Sequence, residues 1–276
     1  VFFGSNHLFK SDDRGDNWEI ISPDLTTNDK SLRNTSDGGG LTNSNTGGEN
    51  HFTIITISDT PIDKDVIWVG TDDGNVQVTI DNGDTWDNVR PNIVGVPQKT
   101  WVSRVEASKH KKGRAYVSFD NHRFDDNKPY VFMTDDYGKS WKNITSDLPK
   151  DYSVYVIKED YIDENLLFVG TEKSVYFTIN QGKIWEKLGS NLPSVAIHDL
   201  VIHPRDGDLI AGTHGKSIWI LDDISPLRNL NFNSNKIIPS RESTKWIKIN
   251  TGRKQPYFEF RGKNPPYGAI INFYSK

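Results

Sequence analysis

Thr134-Asp135-Asp136-Tyr137-Gly138-Lys139-Ser140-Trp141 is the stretch that decides the fold, because the same eight-residue figure occurs three more times. Thr79-Ile80-Asp81-Asn82-Gly83-Asp84-Thr85-Trp86 is the cleanest copy, and Ser11-Asp12-Asp13-Arg14-Gly15-Asp16-Asn17-Trp18 keeps its hydroxyl, acid, glycine and tryptophan. Thr178-Ile179-Asn180-Gln181-Gly182-Lys183-Ile184-Trp185 has an amide in place of the acid. A short acid or amide hydrogen-bonds backbone N–H groups just ahead of it, and glycine two residues later supplies the positive φ of a tight turn. A tryptophan directly after the turn offers a large apolar plate to a neighbouring layer. The figure therefore predicts a hairpin turn that also locks one repeat against the next.

Working outward, each of the three later turns lies in a repeat of four short apolar segments rich in Val, Ile, Tyr, Phe and Trp. The segments expected as strands are 52–58, 66–71, 76–80 and 86–89, then 102–107, 114–119, 130–134 and 141–144, then 154–159, 166–171, 175–179 and 185–188. No window of a dozen residues holds an apolar 3.6 period, so the chain reads as all-β. Four antiparallel strands per repeat make the blade of a β-propeller. Residues 1–24 supply the outer three strands of a blade, and 196–202, 209–213 and 217–221 begin one that has no turn figure, so about four to five blades are visible. The turn tryptophans stand at 18, 86, 141 and 185; the shrinking spacing puts the extra length in loops, above all 26–50, with Gly38-Gly39-Gly40 and Gly47-Gly48.

The turn figure resembles the Asp-box of BNR and sortilin (Vps10)-type propellers, a turn between the outer two strands of a blade. Val66-Ile67-Trp68-Val69-Gly70-Thr71-Asp72-Asp73-Gly74, Asn121-His122-Arg123-Phe124-Asp125-Asp126-Asn127-Lys128-Pro129-Tyr130 and Ile218-Trp219-Ile220-Leu221-Asp222-Asp223-Ile224-Ser225-Pro226-Leu227 are similar to a group of bacterial propeller proteins labelled glycosyl hydrolase. The resemblance covers roughly residues 1–227. It implies a secreted, periplasmic or cell-surface repeat protein, with propeller blades over 1–228. It also implies that 229–276 hold a closing segment and the start of a C-terminal β-sandwich, opening near Gly262-Lys263-Asn264-Pro265-Pro266-Tyr267. The chain begins inside an apparent strand, Val1-Phe2-Phe3-Gly4, without an initiating methionine, and reads as a fragment whose partners include the remainder of its own propeller and C-terminal domain.

Composition narrows the function classes. A net charge of −4 with no sustained basic run argues against nucleic acid, and Lys109, Lys111, Lys112 and Arg114 around His110 read as a solvated strand-connecting loop. With no cysteine there is neither disulfide nor thiolate chemistry. No apolar run approaches the ~18 residues of a membrane helix, so membrane insertion is not expected. The histidines stand singly on different segments, and the Asp-rich turns lack the calcium-loop pattern. Neither a metal nor a cofactor is expected.

The box residues Asp13, Trp18, Asp81, Gly83, Trp86, Asp136, Gly138, Trp141 and Trp185 read as structural, because each box sits at the periphery of a different blade. Propeller sites lie where inner strands converge and their connecting loops meet. Residues at such places are Glu49 and His51 before the first inner strand, Arg104 on the second, and His198 on the fourth; His214 follows the last blade's second strand. His122-Arg123-x-Asp125-Asp126 is the densest polar cluster, able to clamp a sugar or a carboxylate or, alternatively, to be tied internally by Arg123. The reading is an exported propeller binding a glycan or polypeptide at a polar central face. A glycoside hydrolase working through Glu49 with Asp125 or Asp126 is the catalytic alternative, and a structural interaction scaffold without an aromatic platform is the other.

Overall fold

The computed structural model describes residues 1–29, 52–189, 191–230, 235–239, 241–242 and 268–275. Three four-stranded antiparallel sheets follow one another, each in simple sequence order. The first holds β4 (Ile54–Asp59), β5 (Ile67–Thr71), β6 (Val76–Thr79) and β7 (Asp87–Asn88). The second holds β8 (Trp101–Ala107), β9 (Ala115–Asn121), β10 (Asp126–Thr134) and β11 (Lys142–Asn143). The third holds β12 (Val154–Glu159), β13 (Leu167–Thr171), β14 (Val175–Thr178) and β15 (Glu186–Lys187). Before them stands a three-stranded sheet of β1 (Phe2–Gly4), β2 (Leu8–Lys10) and β3 (Glu19–Ile20). After them stands another, of β16 (Ile197–Ile202), β17 (Leu209–Thr213) and β18 (Ile218–Leu221). This is the all-β propeller architecture that the repeats predict.

The core is a series of layers between blades. Trp68, Val76 and Val78 pack against Val102, Val105, Phe119 and Phe132. Tyr116, Val131 and Met133 meet Val154, Ile157 and Leu167, and Phe168, Val175 and Phe177 meet Ile197, Leu200 and Leu209. A second strand such as β5, β9 or β13 has a blade on both sides, so every residue in it is buried. That explains why these strands read as continuous apolar runs rather than alternating ones. The fourth strands, β7, β11 and β15, are two exposed residues each, shorter than expected.

The box turns form as anticipated. Asp136 Oδ1 accepts the Ser140 backbone N–H at 2.9 Å and the Thr134 hydroxyl at 2.8 Å, while Thr134 Oγ1 accepts the Gly138 N–H at 3.0 Å. Asp81 repeats the pattern with Thr79, Gly83 and Thr85, Asp13 with Ser11, Gly15 and Asn17, and Asn180 with Thr178, Gly182 and Ile184. One detail differs: the left-handed conformation is shared by the residue before the glycine, as at Asn82 (φ 57°) ahead of Gly83 (φ 106°). The tryptophans are not equally buried. Trp185 is 5% exposed and donates to Ile144 O of the preceding blade at 2.8 Å. Trp86 is half-buried and donates to Ile21 O at 3.0 Å. Trp141 is half-buried with its ring edge-on to Trp68, and Trp18 is 44% exposed, lying against Phe3 of its own blade.

Two further expectations need correcting. Residues 122–129 are not an open loop: a single 3-10 turn, His122–Phe124, leads directly into β10, which starts at Asp126 and bulges before Tyr130. The basic residues around His110 are solvated only in part: Lys111 and Lys112 are exposed, but the other two are not. Arg114 is buried and held by Asp135 and Glu164 at 2.6 Å each, and Lys109 pairs with Glu106. Past the blades, a four-residue helix α1 (Ser225–Arg228) precedes a two-stranded pair, β19 (Lys236–Ile238) with β20 (Asn272–Tyr274). Residues 243–267, with the expected sandwich opening, lie outside the described residues.

Two outcomes are expected. Trp185→Ala should lower stability by about 3 to 5 kcal/mol in urea denaturation, whereas Trp18→Ala should cost under about 1 kcal/mol. The Asp81 carboxyl is drawn down to about 2, first by the Thr85 hydroxyl and then by the Thr85 backbone N–H. Its contribution is therefore present above the ordinary carboxylate pKa and is lost as pH falls toward 2. Asp81→Asn should accordingly be less stable than the parent at neutral pH, with the difference closing on acidification.

Candidate functional site

The inner strands β4, β8, β12 and β16 each carry one residue that the ladder skips, and it falls at the same place every time. The skipped residues are Ile55, Ser103, Tyr155 and His198. A bulge of this kind bends the strand and re-aims a side chain. Near each bulge the second strand ends or nears its end, with Asp72, Glu172 and His214 directly after β5, β13 and β17 and Asp120 as the last residue but one of β9. Three of these donate a backbone N–H to the residue preceding the inner strand: Asp72 to Thr53 O, Glu172 to Ser153 O, and His214 to Ala196 O. Asp120 instead pairs with Trp101 in the ladder.

These two series meet in an open cleft of about 450 Å³. It is lined by Ser103, Tyr155 and His198 from the bulges, Asp120 and His214 from the strand ends, and Trp101, His122, Arg123 and Ala196 beside them. Aromatic rings form a row across it. The His122 ring stands edge-on to Tyr155 at 6.4 Å, Tyr155 is stacked on His198 at 4.5 Å, and His198 lies 5.4 Å from His214. In the same cleft the Arg123 guanidinium lies 4.1 Å from the centre of the Trp101 ring, a cation–π contact that also orients it.

Asp120 is spent on its neighbour: its two oxygens accept from His122 Nδ1 at 2.5 Å and from the His122 backbone N–H at 3.1 Å. The Ser103 hydroxyl is spent on the blade junction, donating to Val154 O at 2.7 Å and lying 2.8 Å from Ser118 Oγ. Burial, with Asp120 and Glu172 nearby, pushes the Tyr155 phenol up to about 12, so it stays protonated. Burial first, then His214, draws His198 below the ordinary histidine range, with His122 acting the same way and Asp120 against it.

Of the residues singled out in the sequence, His122, Arg123, His198 and His214 come together in the cleft. Arg104 does not line it; its guanidinium pairs with Asp199 at 2.8 Å, linking two inner strands. Asp126 is directed into its own hairpin, accepting from Tyr130 Oη at 2.6 Å and Asn121 Nδ2 at 3.1 Å. Asp125, in a left-handed conformation at the end of the 3-10 turn, is exposed and also off the cleft. Arg123 makes no internal tie to either acid; it stacks on Trp101. Glu49 and His51 lie outside the described residues. Trp101, Asp120 and Tyr155 were not foreseen. Their signal was available in the alignment of blades, where Tyr155 stands in the place of His198, and Asp120 in that of His214.

At the opposite ends of the inner strands the polar groups are closed off. Glu159, fully buried, accepts from Ser108 Oγ, Tyr116 Oη and the Lys109 N–H. Burial raises its pKa against those three donors. Asp160 is gripped by Arg228 of α1 through two bonds of 2.8 Å. Burial alone would raise Asp160, but Arg228 and the backbone N–H groups of Asp163 and Ile162 bring it below the usual carboxylate range. Among the described residues no group of three or more metal-ligating side chains is assembled. No described helix is long and apolar enough to cross a membrane.

Comparison with known proteins gives the same architecture. The sortilin–Vps10 family model, described as sortilin, neurotensin receptor 3, matches residues 129–265. The GH74 xyloglucanase of Xanthomonas campestris superposes with a TM-score of 0.56 at 18% identity, over 82% of this chain and 36% of that one. An ancestral GH74 enzyme gives 0.54 at 18% identity, over 76% of this chain and 25% of its own. YCF48 bound to D1 peptide gives 0.47 at 20% identity, over 61% and 51%. The chain thus spans about half or less of the length of each of these proteins. No curated protein matches the sequence. In fold the chain is a Vps10/BNR-like β-propeller.

The Arg228–Asp160 pair yields a prediction that separates the two ends of the strands. Arg228→Ala leaves a fully buried carboxylate without its cation and should cost about 3 to 5 kcal/mol in chemical denaturation. The cleft residues lie at the other end, so ligand binding measured below the unfolding transition should be unchanged.

Proposed function

We propose that this chain is part of an exported propeller that binds a polar ligand, a glycan or a polypeptide, at the cleft between its inner strands. The observation that carries this reading is the row His122–Tyr155–His198–His214 lining one open cleft together with the Trp101–Arg123 pair. Rings with polar edges, a pre-oriented cation and few aliphatic groups suit a ligand rich in hydrogen-bonding atoms. A scaffold lacking a binding role has no use for such an aromatic row.

Hydrolysis by paired carboxylates has less support. Asp120, the carboxylate among the described lining residues, has both oxygens engaged by His122. Glu172 lies on the same face at the equivalent place of the next blade, close enough to act on the Tyr155 phenol, but it does not line the cleft. Binding without cleavage accommodates both facts.

Screening the chain against glycan and peptide arrays, with Arg123→Ala and Tyr155→Ala alongside, tests the proposal. Both variants should lose binding while melting within a degree or two of the parent, since Arg123 is exposed and Tyr155 half-buried. Unfolding of Arg123→Ala, or undiminished binding by both variants, would place the site elsewhere.

A further inference from the structure

Building on the reading of this cleft as a ligand site, we infer that its ligand is an acidic glycan whose carboxylate or sulfate groups seat on Arg123 and on the His198–His214 pair, which line the same cleft. Arg123 forms no hydrogen bond or ion pair with any described residue; its guanidinium rests on the Trp101 ring. An arginine held flat on an aromatic plate, with its N–H fork free, is arranged to receive an oxyanion. Neither His198 nor His214 has a ring nitrogen bonded to a described residue, although both line the cleft. Their ring nitrogens are free to donate to an acidic group of a ligand in the cleft.

The complementary choice, a cationic ligand, has little to hold it. Both Asp120 oxygens are taken by His122, and the Trp101 face that would attract a cation is already covered by Arg123. A polypeptide anchored by apolar side chains fits no better, because Ala196 is the sole aliphatic lining residue among those described. Pyranose rings, which present hydroxyls at their edges, match the imidazole and phenol groups of the row. An acidic unit adds the charge that Arg123 lacks.

The same geometry sets a pH dependence. Around His198 stand His214, His122, Asp120 and Arg123 in the cleft, the Arg104–Asp199 pair that joins β8 to its own strand, and Glu172 beyond Tyr155. Burial and the adjacent histidines keep His198 neutral near neutrality in the free protein. An anion against it favours the imidazolium, so the complex has the higher pKa and binding takes up a proton. Affinity therefore increases as pH falls below neutrality and decreases as pH rises.

The experiment is titration calorimetry of the chain with trigalacturonate, cellotetraose and pentaglutamate at about pH 5.5 and about pH 8, with circular dichroism confirming the fold at both. Trigalacturonate should bind about tenfold or more tighter at the lower pH, and cellotetraose more weakly at both. Arg123→Ala should abolish the preference for the acidic sugar. His198→Gln should retain binding at the higher pH but lose most of the gain on acidification. Equal, pH-independent binding of cellotetraose and trigalacturonate would overturn the acidic-ligand inference while leaving the binding site itself standing. Tighter binding of pentaglutamate than of trigalacturonate would overturn the assignment to a sugar. Failure of all three, together with blank glycan and peptide arrays, would overturn the site as well as its ligand.

Discussion

Close approach between one blade's second strand and the next blade's inner strand is the constraint on which the rest of the structure depends. A Cβ at Gly170 would lie 2.8 Å from the Ile197 side chain and 2.8 Å from its carbonyl oxygen; at Gly70 it would collide with Val102 and Thr56. With no side chain at these positions the sheets stack face to face, and the apolar layers close over Val102, Val154 and Ile197, each fully buried. The blade of β8 to β11 has Ser118 at the equivalent place, and it too is fully buried, its hydroxyl meeting Ser103 at the seam. Dispersion and apolar burial across these seams, rather than any box turn, hold neighbouring blades together. The boxes then fix the outer edge, and Trp185 and Trp86 fasten it to the blade before by one hydrogen bond each.

From that packing the cleft follows. An inner strand pressed against a neighbouring blade cannot turn all its side chains into the seam, and the bulge at its start is where one side chain is released. Ile55, Ser103, Tyr155 and His198 occupy this position in successive blades, so a single backbone device presents four different chemistries. The strand ends near it, at Asp72, Asp120, Glu172 and His214, supply a second set in the same way. Asp72 and Asp120 are committed to local hydrogen bonds, to the Thr53 N–H and to His122. His198 and His214 are left with open ring nitrogens.

Much of the fold was legible because it repeats. Four copies of one turn, with glycine and tryptophan at fixed offsets, define the blade and its outer hairpin, and continuous apolar runs mark second strands buried on both faces. Four of the cleft residues, His122, Arg123, His198 and His214, were also legible as polar groups where packing gains nothing from them. Tyr155 and Trp101 were not, because an aromatic residue at the start of an inner strand reads like any other strand residue until the bulge re-aims it. Asp126 misled for the opposite reason. An acid in a dense polar cluster looks available, but its bonds to Tyr130 and Asn121 belong to a hairpin that begins four residues earlier than the apolar pattern suggests.

The two ends of the inner strands show how the propeller divides its polar groups. At one end Glu159 and Asp160 are fully buried, and hydrogen bonds or a bidentate arginine meet them, as a carboxylate withdrawn from water requires. At the other, a cation and two imidazoles have no such partners among the described residues, and no helix or strand among those residues covers them. Pairing those groups internally would have cost nothing in backbone geometry, since Asp199 already reaches Arg104 from the residue next to His198. Their lack of partners is therefore a property of the side chains placed there rather than a consequence of the fold. Polar donors held in fixed orientation by aromatic stacking, and left unsatisfied by the protein, need little rearrangement when a ligand supplies the acceptors.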